Sequence, residues 1–346
     1  INPKVLEKYR QRLQNLKIYN IDKDVCDENE HDKRRSAPKT HREDLLMIDR
    51  RPRDTNLEKL NRILYGAPGT GKTYATAEYA LAVIEQREVD LSPKTPAERA
   101  TLMAKYNQAI KDGRIVFTTF HQSYSYEDFI QGLRPDPDAE RLAFVPVDGV
   151  FKKIADQAMV DKNNDYVIIV DEINRANISK VFGELITLIE ADKRWGECNA
   201  LSVSLPYGGA FAVPNNLFIV GTMNSADKSI SLIDTALRRR FDFIEVTPDA
   251  SLVADKALRD VLTTLNENLV DELDSTDLLI GHAYFIGKTA EDLCDIMNNN
   301  IIPLLYEYFY DHKKKVESQV KAAVGDLPVK IEGGTVGRIR LVKKDS

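Results

Sequence analysis

The stretch Gly66-Ala67-Pro68-Gly69-Thr70-Gly71-Lys72-Thr73 decides how this chain is read. It matches G-x-x-x-x-G-K-[ST] in full, and its flanks are those the pattern requires. The apolar run Ile63-Leu64-Tyr65 before it reads as a short strand. TYATAEYALAVIEQ, from Thr73 to Gln86, reads as an apolar, alanine-rich helix. Glycines let a backbone curl until several N–H groups point at one anion. The helix N-terminus near Lys72 adds partial positive charge. A lysine at this place reaches the β- and γ-phosphates of a nucleotide, and the hydroxyl of Thr73 can sit on Mg2+. Gly66, Ala67, Pro68, Gly69, Thr70, Gly71, Lys72 and Thr73 are therefore the candidate nucleotide-binding residues.

Outward from the loop, strand and helix patterns alternate. RIVFTTF (Arg114 to Phe120), YVIIV (Tyr166 to Val170), LFIVG (Leu217 to Gly221) and FDFIEV (Phe241 to Val246) all read as strands. Tyr166 to Val170 is continuously apolar, as in a parallel strand buried on both faces. Leu57, Leu60 and Ile63 have helical spacing, and Ala97 to Lys111 reads as a polar helix. The alternation implies an α/β fold with a central parallel sheet flanked by helices. Leu252 to about Asp311 reads as mostly helical, a small lid beside the sheet. The expected organisation is a charged segment or linker over 1–55, an α/β nucleotide-binding unit over 56–248, a helical lid over 249–312 and a tail over 313–346 holding a hairpin. Within the first segment, Lys33-Arg34-Arg35 could touch nucleic acid, or simply sit in a solvated linker.

Three further groups carry chemistry. A buried strand delivers Asp171 and Glu172 to its C-terminal end, where open α/β sheets bind ligands. Asp171 would join Thr73 around Mg2+, and Glu172 would polarise the attacking water as general base. The alternative is a carboxylate pair that caps the next helix. The strand from Leu217 ends in Thr222-Met223-Asn224-Ser225-Ala226-Asp227-Lys228. Asn224 could hold the water or read the γ-phosphate, with Asp227 one turn on; otherwise Asn224 is an ordinary turn residue. Arg238-Arg239-Arg240 follows the apolar positions Ile230, Ile233, Ala236 and Leu237. These arginines could reach a neighbouring subunit's nucleotide, or form a solvated basic face.

The composition sets bounds. The chain has 346 residues, and 48 Lys and Arg against 54 Asp and Glu leave a net charge of -6. That argues against a surface basic throughout, while leaving room for a local basic groove. Cys26, Cys198 and Cys294 show neither zinc-site nor disulfide spacing, which fits a reducing cytoplasm. No apolar run reaches the roughly 18 residues of a membrane span, and no signal peptide is visible. The chain begins at Ile1 without an initiator Met, as an excised fragment would.

Taken together, these residues resemble the McrB family of AAA+ motors. The likeness goes beyond the generic motifs to FTTFHQSYSYEDFIQG (Phe117 to Gly132), DEINRAN (Asp171 to Asn177), KVFGE (Lys180 to Glu184), ALRRRF (Ala236 to Phe241) and GHAYF (Gly281 to Phe285). The resemblance implies an AAA+ P-loop NTPase fold with a helical lid, and hydrolysis of GTP in preference to ATP with Mg2+. It also implies a hexameric homo-oligomeric ring, an McrC-like nuclease partner, and translocation of DNA in a modification-dependent restriction system. It places Asn224 at the AAA+ sensor position, and nominates Arg239 and Arg240 as trans-acting fingers with Arg238 in reserve. Asn174 and Arg175 become candidates for coupling the site to a partner or neighbour. Two positions depart from the family: Lys228 stands where it has arginine, and Leu279 where a lid arginine often lies. Two other readings remain open on the residues alone, an ATP-driven protein remodeller and a nucleotide-gated assembly module.

Overall fold

The computed structural model describes residues 60–137, 142–227, 235–333 and 337–344. The basic run Lys33-Arg34-Arg35 and the positions Leu57, Lys228, Ile230 and Ile233 lie outside them. Eleven strands are numbered in chain order among the described residues. They are β1 (Asn61–Gly66), β2 (Ile115–Thr119), β3 (Gln131–Pro135), β4 (Phe144–Asp148), β5 (Tyr166–Asp171), β6 (Val203–Ser204), β7 (Ala210–Phe211), β8 (Leu217–Asn224), β9 (Asp242–Glu245), β10 (Val329–Glu332) and β11 (Arg340–Lys343). The helices used below are α1 (Lys72–Glu85), α2 (Pro96–Lys111), α3 (Val150–Val160), α4 (Lys256–Leu273), α5 (Ile302–Tyr308) and α6 (Lys313–Val324).

The central sheet is parallel, in the order β2-β5-β8-β1-β9. Its two faces follow from the alternation of side chains along a strand. On β5, Val167 and Ile169 face one layer with Leu64, Val220 and the apolar sides of α1 and α2. Ile168 and Val170 face the other with Ile63, Ile219 and Phe151 and Ile154 of α3. A strand buried on both sides has no polar face to show, hence the unbroken YVIIV run. Each such side chain contributes about 1.5–3 kcal/mol on burial. α2 starts cleanly because Thr95 and Glu98 form a reciprocal capping box ahead of Pro96.

Gly66, Asp171 and Asn224 fall at the C-terminal ends of β1, β5 and β8, with Gly66 opposite Asn224 in the register. The strand expected to stop at Gly221 thus continues to Asn224. Two short hairpins, β3–β4 and β6–β7, are inserted between the main strands. The aromatic residues after β2 help to pack the sheet: Phe129 is fully buried between Phe151 and Phe182, and Tyr124 stacks on Phe120.

The lid has its own core of buried side chains, including Leu258, Val261, Leu262 and Leu265 of α4. The segment from 313 on, expected as a tail, contributes to that core. Val316, Val320, Ala323 and Val324 lie on one face of α6, which packs on α4. β10 and β11 form the expected hairpin, and Val329 and Leu341 enter the same core. Asn298 fixes the hairpin by a reciprocal pair of 2.7 Å hydrogen bonds with the backbone of Leu341. Among the described residues, no helix is long and apolar enough to cross a membrane.

Candidate functional site

The phosphate loop owes its shape to glycine. Gly69 and Gly71 have φ of 77° and 81°, where a side chain is strained. Gly66 admits no Cβ, because one would lie 2.4 Å from the carbonyl oxygen of Val246. Lys72 follows and is 6% exposed. Its ammonium donates to the carbonyl oxygens of Gly66 (2.9 Å) and Ala67 (2.7 Å). Burial pulls its pKa down to about 8, against the opposing charges of Glu172, Asp171 and Asp227.

β5 and β8 bring the acids. Thr73 donates its hydroxyl to Asp171 Oδ1 at 2.9 Å, and Thr222 donates to the same oxygen at 2.5 Å. Thr222 also accepts from the backbone N–H of Glu172 (3.0 Å), so one hydroxyl fixes both acids. Glu172 sits in the left-handed region, φ 55°, a strained place for a non-glycine residue. Its carboxylate makes no capping bond to the following turn, against the capping alternative. Instead Oε1 accepts from Asn224 Nδ2 at 2.6 Å and Oε2 from Arg175 Nε at 3.2 Å. Burial raises the Glu172 pKa, and the Arg175 charge opposes that. Arg175 also faces Asp227 at 3.5 Å. Asn174, buried, donates to the carbonyl of Asn224 at 3.2 Å.

The lid seats itself on the loop. Gly281 lies so close that a Cβ would come 2.1 Å from the carbonyl carbon of Gly69 and 2.3 Å from the Pro68 oxygen. The Ala283 N–H donates to the Gly69 oxygen at 3.0 Å. His282 Nδ1 accepts from the Asp249 N–H at 3.0 Å, which leaves the ring proton on Nε2. Burial lowers the His282 pKa. The GHAY element, distinctive in sequence but without a role there, thus forms the joint between lid and loop.

The arginine turn has other partners. Arg238 is exposed and lies over the Phe243 ring, 5.2 Å from its centroid, and Arg239 is exposed. The Arg240 side chain is 10% exposed and paired with Glu190. Behind them stands a group the sequence did not announce. Arg194, fully buried, donates to the carbonyls of Ile189 (3.1 Å), Pro214 (3.2 Å) and Leu217 (2.9 Å), and to Asn61 Oδ1 (2.6 Å). Asn61 Nδ2 in turn donates to the carbonyls of Ile189 and Arg240. This hub fixes the backbone on both sides of the Glu190–Arg240 pair.

The fold therefore gathers Lys72, Thr73, Asp171, Glu172, Asn224 and Asp227 into one connected set, while Arg238 and Arg240 engage Phe243 and Glu190. The set suits a nucleotide with Mg2+. The left-handed glycines curl the loop around an anion, and the hydroxyl of Thr73 and the carboxylate of Asp171 offer hard oxygen ligands side by side. Thr222 and Arg194 were missed in sequence because a lone Thr in a strand and a lone Arg in a loop carry no spacing signal.

The family model described as McrB, alpha-helical lid domain matches residues 257–317, and the AAA domain (dynein-related subfamily) matches residues 97–241. The EcoKMcrB subunit of the type IV methyl-directed restriction enzyme of Escherichia coli K12 is 37% identical over 295 residues. The chain carries an AAA domain and is McrB-like in sequence. The McrB alignment covers 78% of this chain and 58% of the E. coli subunit, so the chain spans under two thirds of that relative. The YdiS component of the type II restriction enzyme BsuMI of Bacillus subtilis 168 is 25% identical over 325 residues, covering 79% of this chain and 86% of that one. A solved structure of a candidate ATPase from Cytophaga hutchinsonii aligns at a TM-score of 0.32 and 14% identity, over 83% of this chain and 80% of that one. That likeness is too slight to bear on the McrB reading. The match to the AAA domain and to the McrB lid agrees with the P-loop, parallel sheet and helical lid described above.

Proposed function

We propose that this chain is the GTP-hydrolysing ring motor of a DNA restriction system, and that it drives DNA translocation for a partner nuclease. The observation that carries the enzymatic part is the connected set around Glu172, in which a desolvated carboxylate is held by Asn224 and Arg175 beside the Thr73–Asp171 pair. Thr73 and Asp171 would hold Mg2+, which neutralises charge on the β- and γ-phosphates when bound. Lys72 would exchange its loop carbonyls for phosphate oxygens. Glu172, made a stronger base by burial, would take the proton from the attacking water, and Asn224 would aim that water. Arg239 would reach the nucleotide of the neighbouring subunit, so the working unit is a ring, hexameric as in the family. Arg240, held by Glu190, would set the angle of the turn or be released to act beside Arg239.

The restriction-system reading rests on the E. coli and B. subtilis relatives. The preference for GTP and the nuclease partner rest on family resemblance. A competition assay between GTP and ATP tests the reading, with oligomer size recorded alongside and the neighbouring nuclease present or absent. GTP should be preferred, oligomers should form with nucleotide, and turnover should rise with the nuclease. A chain that hydrolyses only ATP and never associates with a nuclease is a protein remodeller instead.

A further inference from the structure

Two buried polar atoms at the seam between the lid and the sheet lack hydrogen bonds, and they are complementary. One is the hydroxyl of Tyr308, at the end of α5 in the lid; the other is Oδ2 of Asp227, after β8. Tyr308 as a whole is only 8% exposed. A buried hydroxyl without an acceptor is costly, and Phe in its place would avoid that cost. Tyr308 belongs to the lid core that also takes in Ala67 of the phosphate loop, and Ala226, beside Asp227, packs against that core. That same Oδ2 of Asp227 faces Arg175 Nη2 at 3.5 Å without a hydrogen bond, while Arg175 Nε donates to Glu172.

We infer that Tyr308 is a positioning residue for hydrolysis: its hydroxyl donates to Asp227 when the lid closes over a bound nucleotide. This rests on the proposed nucleotide hydrolysis. Asp227 is among the charges that act on the Tyr308 hydroxyl, with Tyr284 and Glu307. Its charge also acts on Lys72 and on Glu172. Once Asp227 accepts from Tyr308, its hold on Arg175 Nη2 weakens and the bond that Arg175 Nε already makes to Glu172 tightens. Lid position is thereby transmitted to the base.

The test uses the full chain with Tyr308→Phe, Asp227→Asn and the double variant. Tyr308→Phe should melt no lower than wild type without nucleotide, because it removes an unpaired buried hydroxyl. Its kcat should nevertheless fall about tenfold with KM little changed. In the double variant kcat should fall no further than in Asp227→Asn alone, the signature of a shared contact. Tyr308→Phe with kcat within twofold of wild type overturns the inference, whether or not its melting temperature moves. So do effects of the two substitutions that multiply. A wild-type chain that hydrolyses no nucleotide defeats the proposed function instead, so the two failures are told apart.

Discussion

Lys72 lies buried with its ammonium on two carbonyls of its own loop, while Arg239 stands exposed on the turn before β9. Around Lys72 the hydrogen bonds close on themselves: Thr73 to Asp171, Thr222 to both acids, Asn224 and Arg175 to Glu172. The arginine turn is anchored from behind by Arg194 and Asn61 and presents charge outward. A set that satisfies itself within one chain can bind a ligand alone. A charge held rigidly in solvent contributes only when something is brought to it. The contrast divides the proposed labour: binding and water activation in cis, transition-state charge in trans.

The largest effect expected is at the buried end. Lys72→Ala removes the cation inside the loop and leaves Arg175 to oppose Glu172 and Asp227 from the far side. Nucleotide binding should be lost and ring assembly with it, as read by a fluorescent nucleotide analogue and by oligomer size. Unchanged affinity would sink the phosphate assignment and the whole contrast with it.

At the exposed end, Arg239→Ala should keep nucleotide affinity within a few-fold and lower kcat by about a thousandfold. The sharper measurement mixes chains. Arg239→Ala and Glu172→Gln chains, each inactive alone, should recover turnover when combined, since one supplies an intact base and the other an intact arginine at a shared interface. If the mixture stays inactive while both variants assemble, the division into cis and trans halves is wrong.

Within the cis half, Glu172→Gln keeps the shape and one of the two acceptors that Asn224 and Arg175 use, but cannot accept a proton. A fall in kcat of about 100- to 1,000-fold at preserved affinity is expected. Full turnover would show that Glu172 is not the base and revive the assembly-module reading.

How much of this was legible in sequence follows the same division. The sheet could be read because a strand buried on both faces has no choice but to be continuously apolar, as at Tyr166–Val170. The loop could be read because only glycine tolerates the conformations at Gly66, Gly69 and Gly71. What stayed hidden depends on residues far apart in sequence meeting in space. Thr222 matters because β8 pairs with β5, and Arg194 because Asn61, Pro214 and Leu217 converge on it. The packing of α6 into the lid was hidden for a different reason. Lys313, Lys314, Lys315, Glu317 and Lys321 crowd the segment's sequence, and the face made by Val316, Val320, Ala323 and Val324 becomes core only once α4 is laid against it.

The smallest effect probes the loop in its resting form. Burial holds Lys72 at a pKa of about 8 in the nucleotide-free chain, below its ordinary value. Phosphates favour the ammonium, so binding requires the proton to be present. Below pH 8 the free loop already carries it. Above pH 8 the free loop loses it, and binding must first take a proton up. Affinity should therefore fall as pH rises past 8, roughly tenfold by pH 9. Stability of the nucleotide-free fold should move the other way, because between about 8 and the ordinary lysine pKa the unfolded chain holds more protons than the folded one. Isothermal titration from pH 7 to 9.5, with melting curves of the free chain, reads both signs at once. An affinity profile flat over that range would mean that the carbonyls of Gly66 and Ala67 hold the ammonium more firmly than burial opposes it. The resting loop would then be charged and merely waiting, with the cost of binding lying in the exchange of carbonyl for phosphate and not in a proton.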